Sequence, residues 1–97
     1  MWDILFKNGH VVDPLNGRND VMDVAVENGR ITAVGRNLSG RSKAVEDLEG
    51  LLLVPGIIDA HMHLGKVYGS PYGARMTALS GVTTCLDMAG PLDEVLK

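Results

Sequence analysis

The sequence predicts a β-rich N-terminal domain of short antiparallel strands over residues 1–53, followed over residues 54–97 by the first βαβ unit of a TIM-like α/β barrel. Three observations carry this reading. Asn-Gly dipeptides, Asn8-Gly9 and Asn28-Gly29, separate short apolar runs in the first half. The segment from Val54 to Leu64 reads as one strand with a polar face and an apolar face. Beyond it the pattern runs strand, helix, strand and the start of a further helix, which is the order of a parallel βαβ unit.

Each element follows from its own residues. Ile4-Leu5-Phe6 leads through Asn8-Gly9 to Val11-Val12, and the run from Asp23 to Val26 leads through Asn28-Gly29 to the run from Ile31 to Val34. Asn-Gly accepts the positive φ of a tight turn, so both stretches predict antiparallel hairpins. Asp13-Pro14-Leu15-Asn16-Gly17 predicts the loop between them. The polar stretch 37–43 predicts a surface loop, and Ala44 to Leu48 a further strand before the Glu49-Gly50 turn. Leu51 to Leu64 predicts a nearly continuous buried strand, interrupted only by Pro55-Gly56. Residues 65–73 predict a loop, and Ala74 to Ser80 a helix closed by Gly81. Val82 to Met88 is rich in β-branched residues and predicts the second strand; Pro91 to Lys97 begins another helix.

Composition narrows the functional classes. A net charge of −3 with nine scattered basic residues offers no basic stripe for nucleic acid and no polybasic cluster for a membrane surface. The run from Leu51 to Val54 is far too short to span a bilayer, and the N-terminus lacks a signal-peptide pattern. Cys85 is the single cysteine, which allows no internal disulfide and fits a reducing cytoplasm. It lies in an apolar run, where packing is expected of it rather than nucleophilic chemistry. His10, beside Asn8-Gly9, is expected to be a solvated hairpin residue.

The chemistry concentrates in Val54-Pro55-Gly56-Ile57-Ile58-Asp59-Ala60-His61-Met62-His63-Leu64. Side chains alternate along a strand, so Ile57, Asp59, His61 and His63 share one face and Ile58, Ala60, Met62 and Leu64 the other. Two neutral imidazoles on one face can converge on a transition-metal ion. His61 and His63 are therefore the candidate metal ligands. Asp59 either orients a ligand imidazole or hydrogen-bonds backbone at the floor of the barrel. Lys66, Tyr68 and Tyr72 lie on a loop that either reaches substrate or is simply solvated. Asp87, at the end of the second strand, either faces substrate or caps the following helix.

The hairpins "DILFKNGHVVDP" and "VAVENGRITAVG", the signature "VPGIIDAHMH" and the strand "GVTTCLDMAG" resemble the N-terminal part of the amidohydrolase superfamily, in its dihydroorotase- and deacetylase-like branch. The resemblance covers essentially the whole chain. It implies a small composite β-sandwich beside a (β/α)₈ barrel, with His61 and His63 matching the first two metal ligands. It further implies one or two divalent ions, of the zinc type, and hydrolysis of an amide, N-acyl or cyclic amide bond in a small molecule by metal-activated water. The family's middle-strand lysine or glutamate, its two later histidines and its late aspartate have no counterpart in the 97 residues. A (β/α)₈ barrel takes about 250 residues, so the expectation is an N-terminal fragment, inactive alone, that self-associates or pairs with its C-terminal part. The competing expectation is a non-catalytic assembly or binding module derived from the same fold. Leu64-Gly65-Lys66 stands where dihydroorotase-like members carry a substrate-clamping arginine, and the short connection to Gly81 is more like that of deacetylase-type members.

Overall fold

The computed structural model describes residues 1–64 and 73–88. The chain divides into two compact units, Met1–Pro55 and Gly56–Lys97. The first is a single five-stranded sheet built from β1 (Trp2–Asp13), β2 (Arg18–Glu27), β3 (Arg30–Gly35), β4 (Ser42–Asp47) and β5 (Leu52–Leu53). The order is β3-β2-β1-β4. Because β2 lines one edge of β1, its other edge takes β4 along residues 2–7 and β5 at His10 and Val11.

Two expectations are corrected here. The unit is mixed rather than antiparallel, since β4 and β5 both run parallel to β1. Its five strands all lie in one sheet. Asn8-Gly9 is also not a hairpin turn. A two-residue hairpin of this kind needs positive φ at both central residues. Asn28 (φ 52°) and Gly29 (φ 71°) meet that condition and turn β2 into β3, whereas beside Asn8 (φ 58°) Gly9 keeps a negative φ. A single left-handed residue produces a bulge instead. Phe6 pairs with Val24 and Gly9 with Met22, so β1 carries one residue more than β2 across this step. The reversal between β1 and β2 comes later, at the 3₁₀ turn Pro14–Asn16. There Asp13 Oδ2 accepts bonds from Asn16 Nδ2 (2.6 Å) and Arg18 Nη1 (3.1 Å), and Gly17 adopts φ 63°. These bonds, that to Asn16 first, hold the Asp13 carboxyl below its ordinary pKa.

Parallel pairing of β4 with β1 requires the chain to cross from β3 to the far side of β1. Residues 36–41 make that crossing, and Asp23 holds them. Its side chain is buried (3% exposed). Oδ1 accepts the amide of Asn8 in the bulge (2.9 Å), and Oδ2 accepts the amide of Leu38 in the crossing (2.9 Å). Gly40 passes so close to the Trp2 ring that a Cβ there would lie 2.6 Å from it. Leu5, Val11, Val24 and Ala25 form the buried apolar core around this network. At the sheet's other end, Asp3 accepts from Lys43 Nζ on β4 (2.6 Å) and from the Asn28 amide (2.6 Å). Those two bonds, that to Lys43 first, lower the Asp3 pKa.

The second unit comprises β6 (Ile57–Met62), α1 (Gly73–Leu79) and β7 (Val82–Asp87), with β6 and β7 parallel. The βαβ order matches the expectation. α1 stops at Gly81, whose φ of 87° suits glycine and whose amide bonds the Ala78 carbonyl (3.0 Å). The continuous strand expected from Leu51 to Leu64 is instead two strands in two units. Pro55, without an N–H, and Gly56 end the ladder between them. Nor is the second part buried: Ile58 is 71% exposed, because among the described residues only one seven-residue helix accompanies a two-stranded sheet. The helix expected over 91–97 lies outside the described residues. No helix among the described residues is long and apolar enough to cross a membrane.

Replacing Asp23 by Ala strands two amides, at Asn8 and Leu38, each of which costs about 1–3 kcal/mol when left without a partner. Urea unfolding of Asp23→Ala should therefore show a loss of at least about 2 kcal/mol, with Asp23→Asn, which keeps one acceptor oxygen, falling in between. A midpoint equal to wild type would mean that water replaces the carboxylate.

Candidate metal site

The candidate ligands sit at the C-terminal end of β6, and the local register decides how they are presented. Ile57 pairs with Val82 and Ile58 with Thr84, so Thr83 is an extra residue on β7. Asp59 then pairs with Cys85 and Met62 with Asp87, three steps along β6 against two along β7. The second irregularity is a bulge on β6 at Ala60 and His61. Bulges are common beside functional sites because they redirect a side chain. The strict two-residue alternation expected from the sequence is thus broken within the motif, and exposure along β6 follows it: Asp59 and Met62 are half-buried, while Ala60 and His61 are exposed.

His61 and His63 nevertheless stand side by side. Their ring centroids are 5.2 Å apart and the rings meet edge to face at 86°. Two imidazoles on one tetrahedral ion, with metal–nitrogen distances of about 2.0–2.1 Å, place their centroids roughly 5 Å apart. The pair therefore has the spacing that a shared ion of the zinc type requires, and neutral imidazole is a suitable donor for it. Among the described residues, no group of three or more His, Cys, Asp or Glu side chains comes together.

Two carboxylates bind backbone next to these histidines. Asp59 Oδ1 accepts the His61 amide (3.0 Å), an amide that belongs to the bulge. Asp87 Oδ2 accepts the Leu64 amide from across the sheet (3.2 Å). Of the two roles open to Asp59, the backbone bond is the one seen at this carboxylate; its partner is a main-chain amide and not an imidazole nitrogen. Cys85 is a free thiol, half-buried on β7. His10 is exposed on β1, with Nε2 2.6 Å from Asn19 Oδ1. Lys66, Tyr68 and Tyr72 lie outside the described residues.

One contributor was not singled out from the sequence. A Cβ on Gly56 would lie 2.6 Å from Thr83 Cβ, so the extra residue on β7 occupies the space a side chain at 56 would need. The signal was the glycine following Pro55, which read as a turn. Its structural role is close approach to the neighbouring strand.

No family model matches the chain. It is 37% identical over 91 residues to a dihydroorotase of Lactococcus lactis, covering 89% of this chain and 22% of that protein. It is 39% identical over 99 residues to an allantoinase of Salmonella paratyphi B, covering 97% of this chain and 21% of that protein. Among solved structures it resembles an N-acyl-D-glutamate deacylase from Bordetella bronchiseptica, complexed with zinc and a phosphonate inhibitor. That likeness has a TM-score of 0.75 and 26% identity, over 89% of this chain and 18% of the deacylase. The chain thus spans about a fifth of the length of the relatives it matches.

Gly56→Ala should disrupt the β6–β7 pairing, seen as lost hydrogen-exchange protection at Ile58 and Cys85. Adding Thr83→Gly, which removes the obstructing side chain, should restore it. Full protection in Gly56→Ala alone would show that the paired strands accommodate a side chain at this position.

Proposed function

Because the chain is homologous to the N-terminal regions of amidohydrolase-superfamily enzymes, we propose that it supplies the first two metal ligands, His61 and His63, of a hydrolase acting on amide, N-acyl or cyclic amide bonds. The 5.2 Å separation of the two rings carries this reading. The parallel βαβ unit supports placing β6 and β7 as the first two strands of a (β/α)₈ barrel, whose chemistry gathers at the C-terminal ends of its strands. His61 and His63 lie at that end of β6. Residues 1–53 form the β-domain of this arrangement, and residues 54–97 the opening of the barrel.

In this role His61 and His63 would hold the ion, each through a ring nitrogen. The chemistry such an ion supplies when bound is acidification of a coordinated water, toward a pKa of about 7, and polarisation of the scissile carbonyl. Asp59 fixes the backbone of His61 rather than moving a proton. Zinc is the ion we propose, since imidazole suits it and the similar deacylase carries it. The substrate is a small amide, as the names of the relatives suggest.

Zinc titrated into the 97-residue chain should bind weakly, since catalytic zinc usually takes about three protein ligands and two are supplied here. His61→Ala and His63→Ala should each abolish the heat of binding in calorimetry. Isotherms matching wild type in both variants would refute the ligand assignment. The same preparation should show no turnover of dihydroorotate, hydantoins or N-acyl amino acids.

We further propose that the second unit self-associates. Among the described residues, Ile58, Leu79 and Leu86 are exposed large apolar residues on or beside a sheet of two strands, β6 and β7. Light scattering across a concentration series should show rising mass. A monomer at every concentration would contradict this.

A further inference from the structure

The geometry points to Asp87 as the positioning residue for His63, acting through the main chain of β6. This inference rests on the proposed metal role of the histidine pair. His63 lies just past the last residue of β6, where the ladder no longer constrains it. The residues on either side of it are held by the last residue of β7 and the residue after it. The Met62 carbonyl accepts the Met88 amide (2.9 Å), and the Leu64 amide donates to Asp87 Oδ2 (3.2 Å). Together they bracket His63 at its two peptide neighbours. The bracket is needed because the bulge at Ala60 and His61 has already taken β6 out of regular register. The first bond holds the peptide that joins Met62 to His63, and the second holds the peptide that joins His63 to Leu64. Asp87 thus does at the strand's end what a ladder partner does within it, but with a carboxylate. That acceptor reaches an amide the β7 backbone does not meet.

The role requires an acceptor oxygen at this position, not a negative charge. Asp87→Ala removes the acceptor, and Asp87→Asn keeps one without the charge. In the full 97-residue chain, hydrogen exchange at the Leu64 amide reports the bracket directly, with the Cys85 amide as the control for an intact sheet. Leu64 should lose protection in Asp87→Ala and regain most of it in Asp87→Asn. Zinc affinity should fall in Asp87→Ala by roughly tenfold to a hundredfold, the usual cost of losing a group that supports a ligand, and recover in Asp87→Asn. Unchanged Leu64 protection in Asp87→Ala would overturn the inference whatever zinc does. So would an Asp87→Asn variant as defective as Asp87→Ala, since that would assign the effect to charge. Failure of wild type to bind zinc, with the Leu64 pattern as expected, would instead overturn the metal reading and leave the bracket standing.

Discussion

A backbone amide displaced from its ladder must find another acceptor, and in both units of this chain an aspartate carboxylate provides it. Asp23 takes the amide of Asn8 from the bulge in β1 and, with its other oxygen, the amide of Leu38 from the crossing chain. Asp59 takes the amide of His61 from the bulge in β6. Asp87 takes the amide of Leu64 just beyond that strand. In each case a short acidic side chain allows the backbone to leave regular pairing without stranding a polar group.

The consequences differ between the two units. In the first, the carboxylate is buried and determines topology. The Leu38 bond anchors the middle of residues 36–41, whose ends are held by Arg36 on Asp20 and by the Arg41 carbonyl on the Trp2 amide. The parallel placement of β4 depends on that path. In the second, the carboxylates lie nearer solvent and determine presentation. The bulge at Ala60 and His61 and the bond at Leu64 lie on either side of the two imidazoles, and the proposed ligand role is sensitive to their spacing. Gly56 belongs to the same set of constraints, since its missing side chain lets Thr83 occupy an extra position on the facing strand.

The homology to one end of much longer hydrolases agrees with this division of labour. A β-domain with a small core of its own precedes a βαβ unit whose apolar residues are largely exposed among the described residues. The proposed ligands, His61 and His63, lie in that second unit, at the C-terminal end of its first strand.

Local composition was enough to determine much of this. Asn28-Gly29 as a hairpin, the strands after it, the glycine-capped helix and the parallel pair of strands all follow from turn chemistry and from apolar periodicity, which act over a few residues. The proximity of His61 and His63 was equally legible, because the two side chains are only two residues apart in the chain. Other features depended on partners distant in the chain. Whether Asn8-Gly9 turns or bulges is decided by φ at Gly9 and by an acceptor fifteen residues away on Asp23. The parallel direction of β4 and β5 depends on a crossing whose anchor is that same carboxylate. The role of Asp87 was invisible in sequence for the same reason. Its partner is a main-chain amide twenty-three residues earlier, and a main-chain amide carries no side-chain signal to read.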